Sequence, residues 1–141
     1  MAVSKPKSPV ARWSPTLKKL RPLSLKQPWA WLVVNGYKDI ENRSWRTTHR
    51  GPLLIHASST RDKQLLADAP KVLADLGISL PPEFEFGGIV GVVDVTDCVK
   101  RSDSPWYFPG NWGWVLENPR RLPFRECKGF VGLFYPKLQG R

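Results

Sequence analysis

The chain of 141 residues contains only two cysteines, two histidines and one methionine. Cys98 and Cys127 are too few and too isolated to form a disulfide framework or a thiolate metal site. Two histidines without ligand spacing give no metal site either. We therefore expect a protein without a metal or a cofactor, and the small number of cysteines fits a reducing cytoplasm.

Long apolar runs are absent as well. No window approaches the roughly 18 uninterrupted apolar residues that a membrane span needs. The first 22 residues lack the apolar core of a signal peptide, and their four prolines break any continuous helix. These absences predict a soluble cytoplasmic protein with no membrane partner.

Acidic side chains are missing from the first 22 residues, which carry six basic ones: Lys5, Lys7, Arg12, Lys18, Lys19 and Arg21. The formal net charge of the chain is +10, from 22 basic and 12 acidic residues, so the part from Leu23 onward has 16 basic residues and a charge of only +4. We expect residues 1–21 to be a disordered basic tail that can contact nucleic-acid phosphates. Residues 22–137 are predicted to form one domain.

The rest of the chain is predicted to contain short strands and few helices. Pro28 and Gly36 bracket a predicted helix, and a second helical region follows a capping box of Ser59 and Asp62, with Pro70 splitting or kinking it. Extended segments are predicted at residues 20–25, 38–44, 53–57, 88–99, 112–116, 120–124 and 129–135. Because strands and helices do not alternate regularly, the pattern predicts an α+β fold: a mixed or antiparallel β-barrel of about six strands with two or three short helices.

Three charged side chains stand between the first predicted helix and an apolar strand, in the pattern G-x-K-x-x-E-x-R from Gly36 to Arg43. Glu41 and Arg43 share one face of an extended strand, so Lys38 can join them only if the chain is still turning after Gly36. A desolvated lysine could lose its proton near neutral pH, as a base or nucleophile requires, and the same trio could bind a phosphate or a base edge. The alternative is an ordinary ion pair that fixes the strand.

Further candidates for a ligand site surround this cluster. Among the seven tryptophans, three adjoin loops and polar neighbours and could stack on bases. Two neighbours of the cluster could reach the same cleft, two arginines in the following loop could contact phosphate, and one serine lies at a helix start whose amides could hold a phosphate. The three tryptophans are Trp29, Trp45 and Trp106. The two neighbours of the cluster are Gln27 and Tyr37, the two arginines are Arg46 and Arg50, and the serine is Ser58.

The run L-S-L-x-Q-P-W-A from Leu23, the G-x-K-x-x-E-x-R pattern, the R-G-P-L-L-I-H-A run from Arg50 and a later G-x-V-x-V strand together resemble the ASCH family. The resemblance covers about Pro22 to Pro136 and implies a PUA-like β-barrel. It also implies RNA binding or a small hydrolytic activity, either as a ribonuclease or as an amidohydrolase of N4-acetylcytidine. In such amidohydrolases a threonine follows the lysine by three residues, whereas here Glu41 follows Lys38.

Two functions follow from these observations, and enzymatic activity is left open between them. The first is an RNA- or nucleoside-binding domain whose cleft is built around the charged motif. The second is a metal-independent hydrolase that acts on RNA or on a modified nucleoside. In the second case Lys38 would be the base or nucleophile, Glu41 the proton shuttle and Arg43 the charge stabiliser.

Overall fold

A computed structural model describes residues 2–128 of the chain. Five strands form one sheet in the order β1-β3-β4-β5-β2, with β1 parallel to β3 and the other neighbours antiparallel. The strands are β1 (Pro22–Leu25), β2 (Ile40–Arg43), β3 (Gly51–Ala57), β4 (Gly88–Val99) and β5 (Trp112–Glu126). The predicted mixed sheet of an α+β fold is therefore confirmed.

Three short helices accompany the sheet: α1 (Pro15–Lys18), α2 (Trp29–Val34) and α3 (Lys63–Ala74). Gly36 follows α2 with a φ of +86°, the left-handed conformation that ends helices and that glycine adopts without steric cost. α3 is one helix that includes Pro70 rather than two helices. Its N-cap is Asp62, whose carboxylate accepts a hydrogen bond from the Leu65 amide at 3.1 Å, and not Ser59 as the sequence predicted.

The sheet is curled into a half-barrel, so that its two edge strands approach each other. Arg43 on β2 donates a hydrogen bond of 3.0 Å to the backbone oxygen of Ser24 on β1. Because β1 and β2 lie at opposite ends of the strand order, this bond can form only across the opening of the barrel. The PUA-like barrel architecture that the resemblance implied agrees with this geometry.

The strand boundaries differ from the prediction in one place. The predicted strands at 112–116 and 120–124 form the single strand β5, which pairs with β4 over most of its length. The sequence suggested a break between these two segments. Instead, β5 bends near Asn118, which adopts a φ of +51°, and three register shifts along the β4–β5 ladder accommodate the bend. The predicted strand at 129–135 lies outside the described residues.

The two faces of the sheet carry separate apolar clusters, as the alternation of side chains in strands requires. The inner cluster contains Leu53, Ile55 and Trp114 together with residues of α2. The outer cluster contains Leu54 and Val92 together with residues near the end of β5. The helix α2 approaches the sheet closely at Gly91, where a Cβ atom would lie 2.5 Å from a methyl carbon of Val34.

Residues 2–21, the N-terminal segment, run along the domain in the structure instead of standing away from it. Val10 forms a parallel bridge with Arg121 of β5, and the Trp13 indole donates to the Pro123 backbone oxygen at 2.7 Å. Leu17 and Leu20 pack against the outer cluster. The prolines that suggested disorder exclude a long helix, but this segment is held by tertiary apolar contacts and backbone hydrogen bonds that do not require one. None of the helices within residues 2–128 combines the length and hydropathy that a membrane span requires.

Candidate functional site

A cleft of about 440 Å³ opens beside the charged motif on the inner side of the sheet. It lies between β2, the start of α2, one side of α3 and the loop that precedes β5. Its lining is mostly apolar, with four polar or charged side chains: three from β2 and the residues just before it, and one from α3. The lining residues are Trp29, Lys38, Glu41, Asn42, Leu65, Asp68, Ala69, Val72, Leu73, Leu76, Pro105, Trp106 and Phe108.

The charged motif forms a connected network at the wall of this cleft. The Lys38 ammonium lies 3.3 Å from one carboxylate oxygen of Glu41, and the Arg43 Nε donates to the other at 2.9 Å. Lys38 also donates to the backbone oxygen of Ile40. Only 6% of the surface of Lys38 and 9% of that of Glu41 is exposed, so both charges are largely removed from water.

The local sequence explains why the three side chains meet. The left-handed Gly36 turns the chain after α2, and the amides of Tyr37 and Lys38 both donate to the Leu32 oxygen at the helix end. Lys38 therefore belongs to the turn and not to the strand, which begins at Ile40. The predicted condition for contact, a chain still turning after Gly36, is met.

Burial lowers the pKa of Lys38 below its ordinary value, and the negative charge of Glu41 offsets part of that shift. The lysine also lies 5.9 Å from the centre of the Trp29 ring. Chemically, the wall of the cleft offers ammonium and carboxylate groups beside an aromatic ring. Within residues 2–128, no three His, Cys, Asp or Glu side chains lie close enough together to hold a metal ion.

Asn42 is a cleft residue that sequence reasoning missed. Its amide nitrogen donates to the Trp106 backbone oxygen at 2.8 Å, and its side-chain oxygen accepts from the Phe108 amide at 2.9 Å. A second contact, from the Ser104 hydroxyl to the Asp39 carboxylate, holds the same loop to the chain before β2. The local sequence carries no signal for this role, because the partners of Asn42 are more than 60 residues away along the chain.

Of the predicted stacking residues, two line the cleft. Trp29 enters it from the start of α2, and Trp106 enters it from the loop that Asn42 holds. Arg43 contacts Glu41 but does not line the cleft, since its guanidinium extends to Ser24 on β1.

The remaining predicted residues lie elsewhere, each with its own contacts. The Gln27 side chain bonds to the Glu85 oxygen and the Trp31 amide, Tyr37 stacks on Trp31 and donates to the Lys5 oxygen, and Ser58 caps the Thr60 amide. Trp45 is 41% exposed and packs edge-on against Trp114. Arg46 is exposed, and Arg50 bonds to the backbone oxygens of Thr47 and His49. None of these six side chains is part of the cleft lining.

A curled mixed sheet with a cleft between its inner face and two helices defines this chain as a PUA-like domain. A family model described as the ASCH domain matches residues 23–121, and the chain belongs to the ASCH family, which is associated with RNA binding. It is 36% identical over 117 residues to activating signal cointegrator 1 of Homo sapiens and 32% identical over 111 residues to that of Mus musculus. Each alignment covers 71% of this chain and 19% of the relative, so the chain spans about a fifth of the length of these relatives.

Proposed function

We propose that the cleft binds RNA or a free nucleoside by accepting one nucleobase. The observation that carries this proposal is the presence of two tryptophans and a buried ion pair in the same small cleft. A volume of about 440 Å³ lies within the roughly 300–1,000 Å³ of small-molecule sites, and it suits a single nucleoside.

The aromatic rings would supply affinity. Stacking of a base on an aromatic side chain contributes about 1–3 kcal/mol, and it tolerates any base because every base has a π-face. Trp106 is the better candidate for this role, since the loop that carries it is held by Asn42 and therefore costs little entropy to order. The apolar side of α3 would contact the opposite side of the ligand.

The ion pair would supply selectivity. Among the described residues, Lys38 directs two of its three N–H groups at oxygens of Ile40 and Glu41, which leaves one donor for a ligand. Each carboxylate oxygen of Glu41 keeps a lone pair beyond its bond to a cation. A base edge with one acceptor beside one N–H donor would match this arrangement.

The test is a calorimetric titration with the four ribonucleosides and with a fluorescently labelled single-stranded RNA of about ten nucleotides. Trp106→Ala should weaken binding about 5- to 150-fold, which corresponds to the stacking energy of one base. Trp45→Ala is the matched control, because Trp45 is an exposed tryptophan outside the cleft. Equal losses in the two variants, or no binding by the wild-type protein, would refute the proposal.

A second candidate function is hydrolysis, and the lowered pKa of Lys38 at the cleft wall favours it. Lys38 would act as the base or nucleophile and Glu41 would carry the proton, whereas Arg43 would act on the substrate only through Glu41. Metal-free incubation with N4-acetylcytidine and with single-stranded RNA would test this function. It requires product from the wild type that is lost in both Lys38→Ala and Glu41→Gln; binding without product would exclude it.

A further inference from the structure

The wall of the cleft that α3 provides contains one carboxylate, that of Asp68, among apolar side chains. The packing of α3 against the domain rests on its two buried residues, Ala69 and Leu73, and Asp68 is exposed. The fold therefore does not require a carboxylate at this position. The apolar lining residues of α3 and of the turn after it are Leu65, Ala69, Val72, Leu73 and Leu76.

The carboxylate of Asp68 is steadied by its own helix and keeps capacity for a ligand. The amide nitrogen of Gln64, four residues earlier, donates to one oxygen of Asp68 at 2.9 Å. None of the ion pairs within residues 2–128 involves Asp68. Because an ionised carboxylate offers about four lone-pair sites, Asp68 can accept further hydrogen bonds on the side of the cleft.

Asp68 lies at the mouth of the cleft, whereas the ion pair lies on its floor. Lys38 and Glu41 are almost fully buried, but Asp68 is exposed, and 62% of the surface of Val72, one turn further along α3, is exposed as well. A nucleoside whose base reaches Lys38 and Glu41 therefore leaves its sugar at the mouth, beside the wall that α3 provides.

The mouth has a negative charge and no positive one among the described lining residues. Lys38 is the single lysine or arginine in this lining, and it is buried against Glu41. A phosphate on the sugar would approach the Asp68 carboxylate without a cation to neutralise it, and like charges repel. The hydroxyl groups of an unphosphorylated sugar are donors instead, and a carboxylate accepts such bonds strongly.

We propose that Asp68 is a specificity-determining residue, which accepts hydrogen bonds from the ribose hydroxyls of the occupant and disfavours a phosphate on the same sugar. This inference rests on the proposed binding of a nucleobase and adds the sugar to it. The 2′-hydroxyl distinguishes ribose from deoxyribose, so the cleft selects a ribonucleoside over its 2′-deoxy counterpart. A residue within an RNA strand carries phosphates on both sides of its ribose, so the better occupant is a ribonucleoside without them.

The test is calorimetric titration with adenosine, guanosine, cytidine and uridine, each beside its 2′-deoxy counterpart and its 5′-monophosphate. The wild-type protein should prefer the ribonucleoside over the deoxy compound about 3- to 10-fold, as one hydrogen bond at a partly solvated position provides. It should also prefer the ribonucleoside over the monophosphate by about the same factor in about 50 mM salt, where charge repulsion is little screened.

Two substitutions at position 68 separate the hydrogen bonds from the charge. Asp68→Ala should abolish both preferences. Asp68→Asn keeps an acceptor oxygen but no charge, so it should retain the preference for ribose and lose the discrimination against phosphate. The matched control is Asp75→Ala, which removes an exposed carboxylate next to the end of the same helix, outside the cleft lining. Each readout is a ratio of affinities within one variant, and urea unfolding verifies that all three variants fold.

The outcomes distinguish this inference from the function on which it rests. Equal affinity of the wild type for ribonucleosides and deoxynucleosides, with binding still lost in Trp106→Ala, would overturn the role of Asp68 and leave the proposed function intact. Equal changes in Asp68→Ala and Asp75→Ala would overturn it as well, since only net charge would then matter. No binding of any of these compounds by the wild type would refute the proposed function, and the role of Asp68 would fall with it.

Discussion

The cleft and the N-terminal segment handle positive charge in opposite ways. In the cleft, Lys38 is buried and forms an ion pair with Glu41. The same carboxylate also forms an ion pair with Arg43. In the segment, Arg12 and Lys19 are exposed, and they have no ion pair with the described residues. A basic residue therefore has a different meaning in each region: a specific hydrogen-bonding group in the cleft and a source of long-range attraction in the segment.

The comparison also teaches that overall charge is a poor guide to a site. The net charge of +10 comes mostly from residues 1–22, whereas the charges of the motif nearly cancel. Buried and paired charges should be costly to disturb, and exposed and unpaired ones should be nearly free to remove. Four expected outcomes, from the largest effect to the smallest, test this contrast.

Replacement of Glu41 by leucine should have the largest effect on stability. It leaves Lys38 and Arg43 without their counter-charge in a largely buried place, and breaking a buried ion pair costs about 3–5 kcal/mol of unfolding free energy. Urea unfolding at pH 7 measures this loss. The double variant Lys38→Met/Glu41→Leu should recover part of it, because the buried ammonium is then gone as well. A loss below about 1 kcal/mol in the single variant would mean that water reaches the network.

Removal of the Trp13 side chain tests whether the N-terminal segment is truly docked. Trp13 is half-buried between the outer cluster and Arg125, so Trp13→Ala should lower the unfolding free energy by about 2 kcal/mol. Val10→Ala is the matched control, because Val10 is 62% exposed and should change stability by less than about 0.5 kcal/mol. If the segment is disordered in solution, as the sequence suggested, both substitutions will have the same negligible effect.

The sequence predicted local features better than distant contacts. The helix end at Gly36 and the strand from Gly88 to Val99 follow from glycine conformation and side-chain alternation. For Lys38 and Glu41 the sequence gives only the condition for contact, a chain that is still turning after Gly36. These are properties of neighbouring residues, so a single sequence contains them. The continuity of β5 was missed, because Asn118 can take the left-handed conformation inside a strand as well as in a turn.

Contacts between distant segments could not be predicted. Asn42 holds a loop more than 60 residues away, and Trp13 reaches the Pro123 oxygen 110 residues along the chain. For the same reason, sequence proximity to the motif placed Tyr37 and Trp45 near the cleft, although the fold directs them elsewhere. The four prolines of the first 22 residues show only that this segment cannot form a long helix. The apolar surface against which the segment packs comes from β3, β4 and β5.

The pH dependence of stability should report the protonation of His56, a buried polar residue on the outer side of the sheet. Its Nε2 donates to the Cys127 oxygen, and in the neutral ring its Nδ1 accepts from the Ser24 hydroxyl at 2.9 Å. Burial lowers the pKa of His56 below the ordinary value of 6.5. As the pH falls through 6.5, the unfolded chain takes up a proton that the folded chain refuses, and the folded state loses stability.

The expected loss from His56 is at most about 1.4 kcal/mol for each pH unit between 6.5 and the lower folded pKa. Urea unfolding between pH 7.5 and 5 measures it, with His56→Gln as the reference, because glutamine offers an amide donor near the place of Nε2 but does not titrate. The wild-type advantage over this variant should shrink as the pH falls below 6.5. An advantage that stays constant down to pH 5 would show that His56 is not held in its neutral form.

The smallest effect should come from the charges of the N-terminal segment. Lys18→Gln/Lys19→Gln removes two neighbouring cations that have no ion pair with the described residues, so no attraction is lost and some mutual repulsion is relieved. We expect the unfolding free energy to rise by a few tenths of a kcal/mol in about 20 mM salt and to be unchanged in about 500 mM salt, where such repulsion is screened. A loss of more than about 0.5 kcal/mol at both salt concentrations would mean that these lysines stabilise the fold. The contrast between paired charges in the cleft and unpaired charges in the segment would then fail.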